Sequence, residues 1–360
     1  MKLTPGELYF VRETDVLTNE ISNYVKIGLV REEESRTSQD RALEHQTGNP
    51  RTLHVDTVVK SPAISEIENI MHHLLAENRI SGEWFNFTPA ELAEAISIAQ
   101  DLADEANANV GKFAIADSFK NKVSQKSLIQ PTPEILTWHG VLLASEAKIK
   151  KCTAIDSEIR EIFRNAHAQP KTPTSVVDGG PVREDIEKYA TVQERKASLQ
   201  FDQASFQIAH PDLFVQFTNT KSRIAPSFTI TRPKDLDLSL EVIDRQLFIL
   251  TSEVETILGS YSPGSALLEL LHTKSLQLIG HNARASWDKE IAQANLKAFC
   301  KDAAGVVDVC KWTRTLKETK TFDEKAFVSA FPDIAKEFST VGEGTQAIVM
   351  KRKRAYIPRK

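Results

Sequence analysis

The first ninety residues alternate short hydrophobic runs with polar breaks. LYFV at Leu8–Val11 is apolar and carries an aromatic, and YVKIGLV at Tyr24–Val30 alternates well enough for a strand. The polar stretch ETDVLTNEISN between them predicts a hairpin loop. After Gly28 an acidic run, REEESRTSQD, reads as a loop leading into a helix from Ser38, which TGNP breaks; RTLHVDTVVK then returns as a third strand rich in β-branched residues. Ser65 is placed to cap a helix over Glu66–Glu77, with Glu68 three residues on completing a capping-box pattern. Thr88 followed by Pro89 marks the start of a further helix, Ala-rich to about Asn107. The chain then stays predominantly helical to about Ala168, interrupted at Pro131 and Pro133, and Gln169–Pro181 has a linker's composition.

Beyond the linker lies an internal repeat. FDQASFQIAHPDLFVQFT at Phe201–Thr218 matches FDEKAFVSAFPDIAKEFS at Phe322–Ser339, and each copy runs into a short basic strand-like segment. Asp at the second position is suited to cap a helix, with the spaced aromatics forming its apolar face. EIREIFRNA (Glu158–Ala166) loosely echoes NLKAFCKDA (Asn295–Ala303), and a helical insert over Leu238–Ala298 separates the copies. The expected fold class is α+β: a small antiparallel three-stranded sheet with helices, then a mostly α-helical region containing a duplicated unit. The expected division is 1–88 for the sheet domain, 89–168 helical, 169–184 linker, and 185–360 for the repeats (201–234 and 322–355) and a basic tail.

A length of 360 residues suits two or three domains, and 41% hydrophobic with 26% charged content is ordinary for a globular protein. No apolar run approaches a bilayer span, the N-terminus lacks a secretory core, and three scattered cysteines form neither a disulfide framework nor a zinc pattern. A reducing cytoplasm and no membrane partner are therefore expected. The net charge of −4 conceals an asymmetry. Residues 1–88 hold nine Lys/Arg against fourteen Asp/Glu, whereas 345–360 hold six against none. The cation cluster Lys351, Arg352, Lys353 and Arg354 is thus a candidate nucleic-acid contact, or else a solubilising end.

Within residues 8–87 the sequence offers a phenol (Tyr9), a guanidinium and an imidazole four apart on one helix face (Arg41, His45), and a carboxylate (Glu68). Those groups are the components of a one-metal phosphodiesterase. Arg offers bidentate donors to phosphate, His can relay a proton near neutrality, and one carboxylate with waters can anchor Mg²⁺. Glu66 is the nearby alternative ligand. His72 is a secondary candidate, and the adjacent His72 and His73 point apart. Trp84 and Phe85 read as core aromatics.

In order and spacing, LYFV, KIG (Lys26–Gly28), RALEHQTG (Arg41–Gly48), Glu68 with His72, and GEWF (Gly82–Phe85) resemble the GIY-YIG nuclease superfamily, closest to its phage and fungal meiotic branch. The resemblance implies a DNA endonuclease using Mg²⁺ (or Mn²⁺), with Tyr9 orienting or deprotonating water, Glu68 as metal ligand and Gly28 letting backbone approach a neighbouring helix. Glu7 and Leu8 replace the namesake Gly and Ile. Lys26 replaces the second tyrosine as a catalytic candidate placed to stabilise phosphate charge or depress the phenol's pKa. Glu83, a secondary candidate, stands roughly where other members carry a polar Asn near the site. The second repeat, from LKAFCKDAAGVVDVCKWTRTLKETKTFDEKAF, resembles the C-terminal appendage of YqaJ-type phage recombination exonucleases, implying a DNA-associated or oligomer- and partner-binding accessory and a place in phage biology or defence. The other reading is an inactive DNA- or partner-binding platform.

Overall fold

The computed structural model describes residues 3–168, 183–195, 197–234, 236–260 and 267–353. β1 (Gly6–Thr14) is the middle of the N-terminal sheet and is covered on both faces, which is why LYFV is apolar without a break. Leu8 and Phe10 point into the main core; Tyr9 and Val11 point to the opposite face. It pairs antiparallel with β2 (Ile21–Arg31), Tyr9 opposite Gly28, and on its other edge with β3 (Thr52–Ser61). Between β2 and β3 lies α1 (Ser38–Gln46), started by a reciprocal Thr37–Asp40 capping box.

Two details depart from expectation. The helix after β3, α2 (Ile64–Leu74), is capped by Ala63 with no side-chain bond, so Ser65 is not its N-cap and Glu68 takes no part in capping. The reason is tertiary: the Thr4 carbonyl accepts from Ile64 N–H, while the Pro62 carbonyl accepts from Thr4 N–H, fixing the start two residues early. The GEWF stretch is a hairpin turn and the start of a strand: β4 (Arg79–Ser81) turns at Gly82–Glu83 into β5 (Trp84–Asn86), so the sheet has five strands in the order β3-β1-β2-β5-β4 where three were expected.

α3 (Pro89–Lys120), begun by a Thr88–Glu91 capping box, runs past Asn107. Its stripe of Leu92, Ala95, Ala99, Leu102, Ala103 and Ala106 joins the same core as the sheet and α2. A short strand, β6 (Leu128–Ile129), precedes α4 (Pro133–Ala168), and the linker residues 169–182 lie outside the described residues. α5 (Arg183–Tyr189) leads into β7 (Ala190–Arg195) and β8 (Leu199–Phe201), then α6 (Gln203–Ala209), α7 (Pro211–Gln216) and β9 (Thr218–Ile230). α8 (Leu240–Ile243) and α9 (Arg245–Ser260) come before α10 (Leu267–Cys300). The chain closes with β10 (Gly305–Val306), β11 (Cys310–Phe322), α11 (Glu324–Ala330), α12 (Pro332–Glu337), β12 (Ser339–Val341) and β13 (Thr345–Met350).

α4 and α10 lie antiparallel. Ile135 and Leu142 near the start of α4 share a core with Ala292, Leu296 and Cys300 at the end of α10, and Ile155 to Ala166 share another with Leu268 to Leu278. α10 also seats Trp287, Ile291 and Ala294 in the core of the sheet domain. No helix among the described residues is long and apolar enough to cross a membrane.

The repeats are intertwined rather than stacked side by side. Asp202 and Asp323 each cap their first short helix through the side chain. The leading strand of each copy pairs with the trailing strand of the other: Phe201 lies opposite Ser339, and Phe322 opposite Thr218. Asp202 N–H donates to the Phe338 carbonyl at 2.7 Å, and Asp323 N–H to the Phe217 carbonyl at 2.8 Å. The equivalent phenylalanines Phe206 and Phe327 meet at 4.4 Å between ring centroids, at the pseudo-two-fold axis. The unit that repeats is therefore strand–helix–helix–strand, and a single copy cannot complete either of its ribbons.

Candidate active site

β5 covers β2 only over Tyr24–Lys26, with Ile27 N–H reaching the Glu83 carbonyl at 3.0 Å. From Gly28 onward that edge of β2 has no strand neighbour among the described residues, and a cavity of about 300 Å³ opens there, lined by Tyr9, Leu29, Arg31, Glu34, Arg36, Arg41, Glu68 and Glu83. Four separate elements thus deliver a phenol, guanidinium groups and carboxylates to one place.

Tyr9 is buried, and its ring lies directly over Gly28. A Cβ on Gly28 would stand 2.4 Å from the phenol oxygen. The glycine therefore makes room for the Tyr9 ring, not for a neighbouring helix as the sequence suggested. Gly28→Ala should cost about 1–3 kcal/mol through displacement of that ring and lower cleavage with it; an unchanged thermal midpoint and rate would mean the ring has room to move.

Burial pushes the Tyr9 phenol up to about 12, against the opposing charge and hydrogen bonding of Arg41. At neutral pH the phenol keeps its proton. Arg41 is tied to Glu44, which also pairs with Arg36, and its Nε is buried without a partner. Glu68 is half-buried; burial first, then the Glu83 charge, raise it to about 7. Burial alone would raise Glu83 too, but the Lys26 hydrogen bond and charge outweigh it and hold Glu83 below the usual range. Lys26, itself buried, therefore reaches the cavity through Glu83.

His45 does not line the cavity. Its titration is depressed by burial and by Lys26 and Arg41, and its Nε2 is buried with no hydrogen-bond partner among the described residues. His72 is held away, Nε2 at 3.2 Å from the Ile27 carbonyl and the ring tilted on Phe85. Phe85 is fully buried, while Trp84 packs beside Tyr9 and Val11. Glu66 faces a different cavity of about 420 Å³ on the far side of α2, together with His73 and Arg352. Glu66 is thus separated from Tyr9 and Arg41.

The basic tail is only partly free. Arg352 donates to His73 Nε2 at 2.7 Å, the Lys351 ammonium reaches the Glu187 carbonyl, and Arg354 lies outside the described residues. Removing 345–360 would also remove β13, whose Ile348 and Met350 are buried, so only point substitutions can test the tail. Burial, then Arg352, depress His73 to about 4. Its neutral ring is the acceptor for Arg352, and a depressed histidine stabilises the fold above its unfolded pKa near 6.5. That stability should drain away as pH falls from about 6.5 to about 4. His73→Gln should flatten the dependence of the thermal midpoint on pH in that window; an identical slope would remove His73 as its source.

Arg31, Glu34 and Arg36 are cavity residues that the sequence reading passed over as an acidic loop. Their one signal is that a charged run with two arginines directly follows Gly28 on β2. Glu7, noted only as a departure from the namesake motif, accepts from the Ser38 hydroxyl at 2.7 Å and so fixes the first turn of α1, the helix that carries Arg41.

Residues 8–100 match the T5orf172 domain. That family is associated with GIY-YIG-like, phage endonuclease-type domains, which makes a nuclease-like, DNA-related role compatible with this part of the chain. The T5orf172 match takes in the sheet, α1, α2, every residue lining the 300 Å³ cavity and the first turns of α3, and it stops well before the repeats. No curated protein and no solved structure gives a significant match to the chain.

Among the described residues no group of three or more His, Cys, Asp or Glu is arranged to hold a metal ion. The cavity nevertheless suits a cation with few protein ligands. Glu68 and Glu83 repel one another there, and burial keeps Glu68 from ionising fully, a cost that a divalent cation would relieve.

Proposed function

We propose that residues 8–100 form a GIY-YIG-like endonuclease that hydrolyses DNA phosphodiester bonds with a divalent cation, Mg²⁺ or Mn²⁺, held by Glu68 and waters. The observation that carries this reading is convergence: Tyr9, Arg41, Glu68 and Glu83, drawn from separate motifs, line one cavity. A cation bound there would neutralise charge on the phosphate and on the departing oxygen.

The chain's own groups supply the rest. Arg41 offers its guanidinium to the non-bridging oxygens of the phosphate, where Tyr9 already lies against it. The protonated phenol orients the attacking water by hydrogen bonding rather than acting as a free base. His45, held neutral by burial and by the charges of Lys26 and Arg41, lies outside the cavity and takes no proton in this scheme. Lys26 keeps Glu83 ionised and in place.

The decisive experiment is cleavage of plasmid and short duplex DNA by the full chain, with and without Mg²⁺ and after chelation. Cation-dependent cutting is the expected result. Absence of cutting under every divalent cation tried, with duplex binding intact, would favour the platform reading instead.

A further inference from the structure

β9 and β11 form an antiparallel ribbon of 13 residues on each strand. Its root is fixed in the body. Cys310 and Trp312 are buried, and Arg314 is fully buried, 3.9 Å over the Trp312 ring and donating to the Lys122 and Lys301 carbonyls. Further out, every β11 residue from Thr315 to Thr321 is exposed, so that half of the ribbon stands free of the body on both faces.

Directly opposed residues of an antiparallel pair share a face, and alternate residues along a strand repeat it. One face therefore carries Lys311, Thr313, Thr315, Lys317, Thr319 and Thr321 from β11. Opposite them stand Thr229, Ser227, Ala225, Arg223, Lys221 and Asn219 from β9. This face holds four cations and no carboxylate, and its other residues are small or carry hydroxyl or amide groups. Lys317 is directly opposite Arg223, with Lys221 on the diagonal, while Lys311 lies about 20 Å along the strand. None of the four is in an ion pair among the described residues. The other face continues the core with Trp312, Arg314, Phe228 and Ile230, and further out carries one cation, Lys320, and one carboxylate, Glu318. Among the described side chains of the second ribbon, β7–β8 with β12–β13, none is cationic: they are apolar, amide, hydroxyl or, at Glu194, acidic.

We propose that this cationic face of the β9–β11 ribbon is a docking surface for duplex DNA and supplies phosphate contacts beyond those of the N-terminal domain, which is acidic overall. Charge complementarity selects the occupant. In a chain of net charge −4, four unpaired cations aligned with hydroxyl donors match a regularly spaced polyanion. Shape agrees, because the major groove of B-form DNA is about 12 Å wide and admits a two-stranded ribbon. The inference rests on the reading of the chain as a DNA enzyme, but it concerns binding alone and is tested without cleavage.

The test is equilibrium binding of the full chain to a fluorescein-labelled mixed-sequence DNA duplex in chelator, as a function of salt. The triple variant Lys221→Gln, Arg223→Gln, Lys317→Gln is compared with wild type. Three lost phosphate contacts should reduce the slope of log affinity against log salt by about 2.7. Between about 50 and about 200 mM salt, wild type should therefore lose about 40-fold more affinity than the variant. The pair Arg223→Gln, Lys317→Gln should lose about 1.8 of slope and stands in if the triple variant has a lowered thermal midpoint. Lys320→Gln, on the opposite face, should leave the slope at its wild-type value. Equal slopes for wild type and the outward-face variants overturn the proposal. So does a Lys320→Gln effect as large per charge, or a slope change confined to single-stranded DNA or to an RNA duplex. Failure of the catalytic reading looks different: duplex binding with the expected slope and no cutting under any cation.

Discussion

Glu68→Gln should reduce Mg²⁺-dependent cleavage about a thousandfold or more, on the order of 4 kcal/mol at the barrier, while duplex binding in chelator stays at the wild-type level. The substitution keeps shape and hydrogen bonding but removes the charge that a hard cation needs. Glu68 is not engaged in capping α2, so this loss cannot be ascribed to a frayed helix. A second readout is independent of catalysis. Mg²⁺ that binds only the folded state raises the thermal midpoint in proportion to its saturation, and that rise should disappear in Glu68→Gln. Cleavage at a near wild-type rate, or an undiminished Mg²⁺-dependent rise in the midpoint, would take Glu68 out of the mechanism.

Phe327→Ala should be the most damaging single change in the C-terminal half, costing about 3–5 kcal/mol. Phe327 is fully buried, and its ring lies within 6 Å, centroid to centroid, of Phe201, Phe206, Phe217, Phe322 and Phe331. Phe206→Ala should cost a similar amount, because the pseudo-two-fold axis passes between the two rings. The double variant should cost less than the sum, since both substitutions remove the same contact. Denaturant unfolding of the three variants measures this. A cost below about 1 kcal/mol for either single change would mean that the module can collapse around the gap.

Much of the N-terminal domain was legible in advance. Runs such as LYFV and TLHVDTVV have few ways to bury themselves other than as strands, and the Thr88 cap acts within four residues of its own helix. The spacing of Arg41 and His45 placed both on one helix, although only Arg41 reaches the cavity. Local signals misled where a remote segment outweighed them. The start of α2 is set by Thr4, sixty residues away, which defeated the cap expected at Ser65. Gly28 was read as yielding to a helix because the sequence could not show which residue lies across it; the β1–β2 register puts Tyr9 there. GEWF looked like core packing alone, and its pairing with Lys26 was invisible because three-residue strands have almost no pattern of their own.

By itself the sequence determined which residues were apolar, that Thr88 starts a helix, that a unit recurs around FD and PD, and that a phenol, an ammonium, a guanidinium, an imidazole and carboxylates lie within the first eighty-odd residues. The tertiary structure alone decided which of those groups share a cavity, that the repeats exchange strands around Phe206 and Phe327, and that four scattered cations line up on one face of a ribbon. The division follows from range. Propensity and capping act within a few residues, and a sequence window contains them. Pairing register, by contrast, joins Arg223 to Lys317 and Tyr9 to Gly28 through hydrogen bonds between distant segments, and a slip of one residue would turn every side chain to the other face.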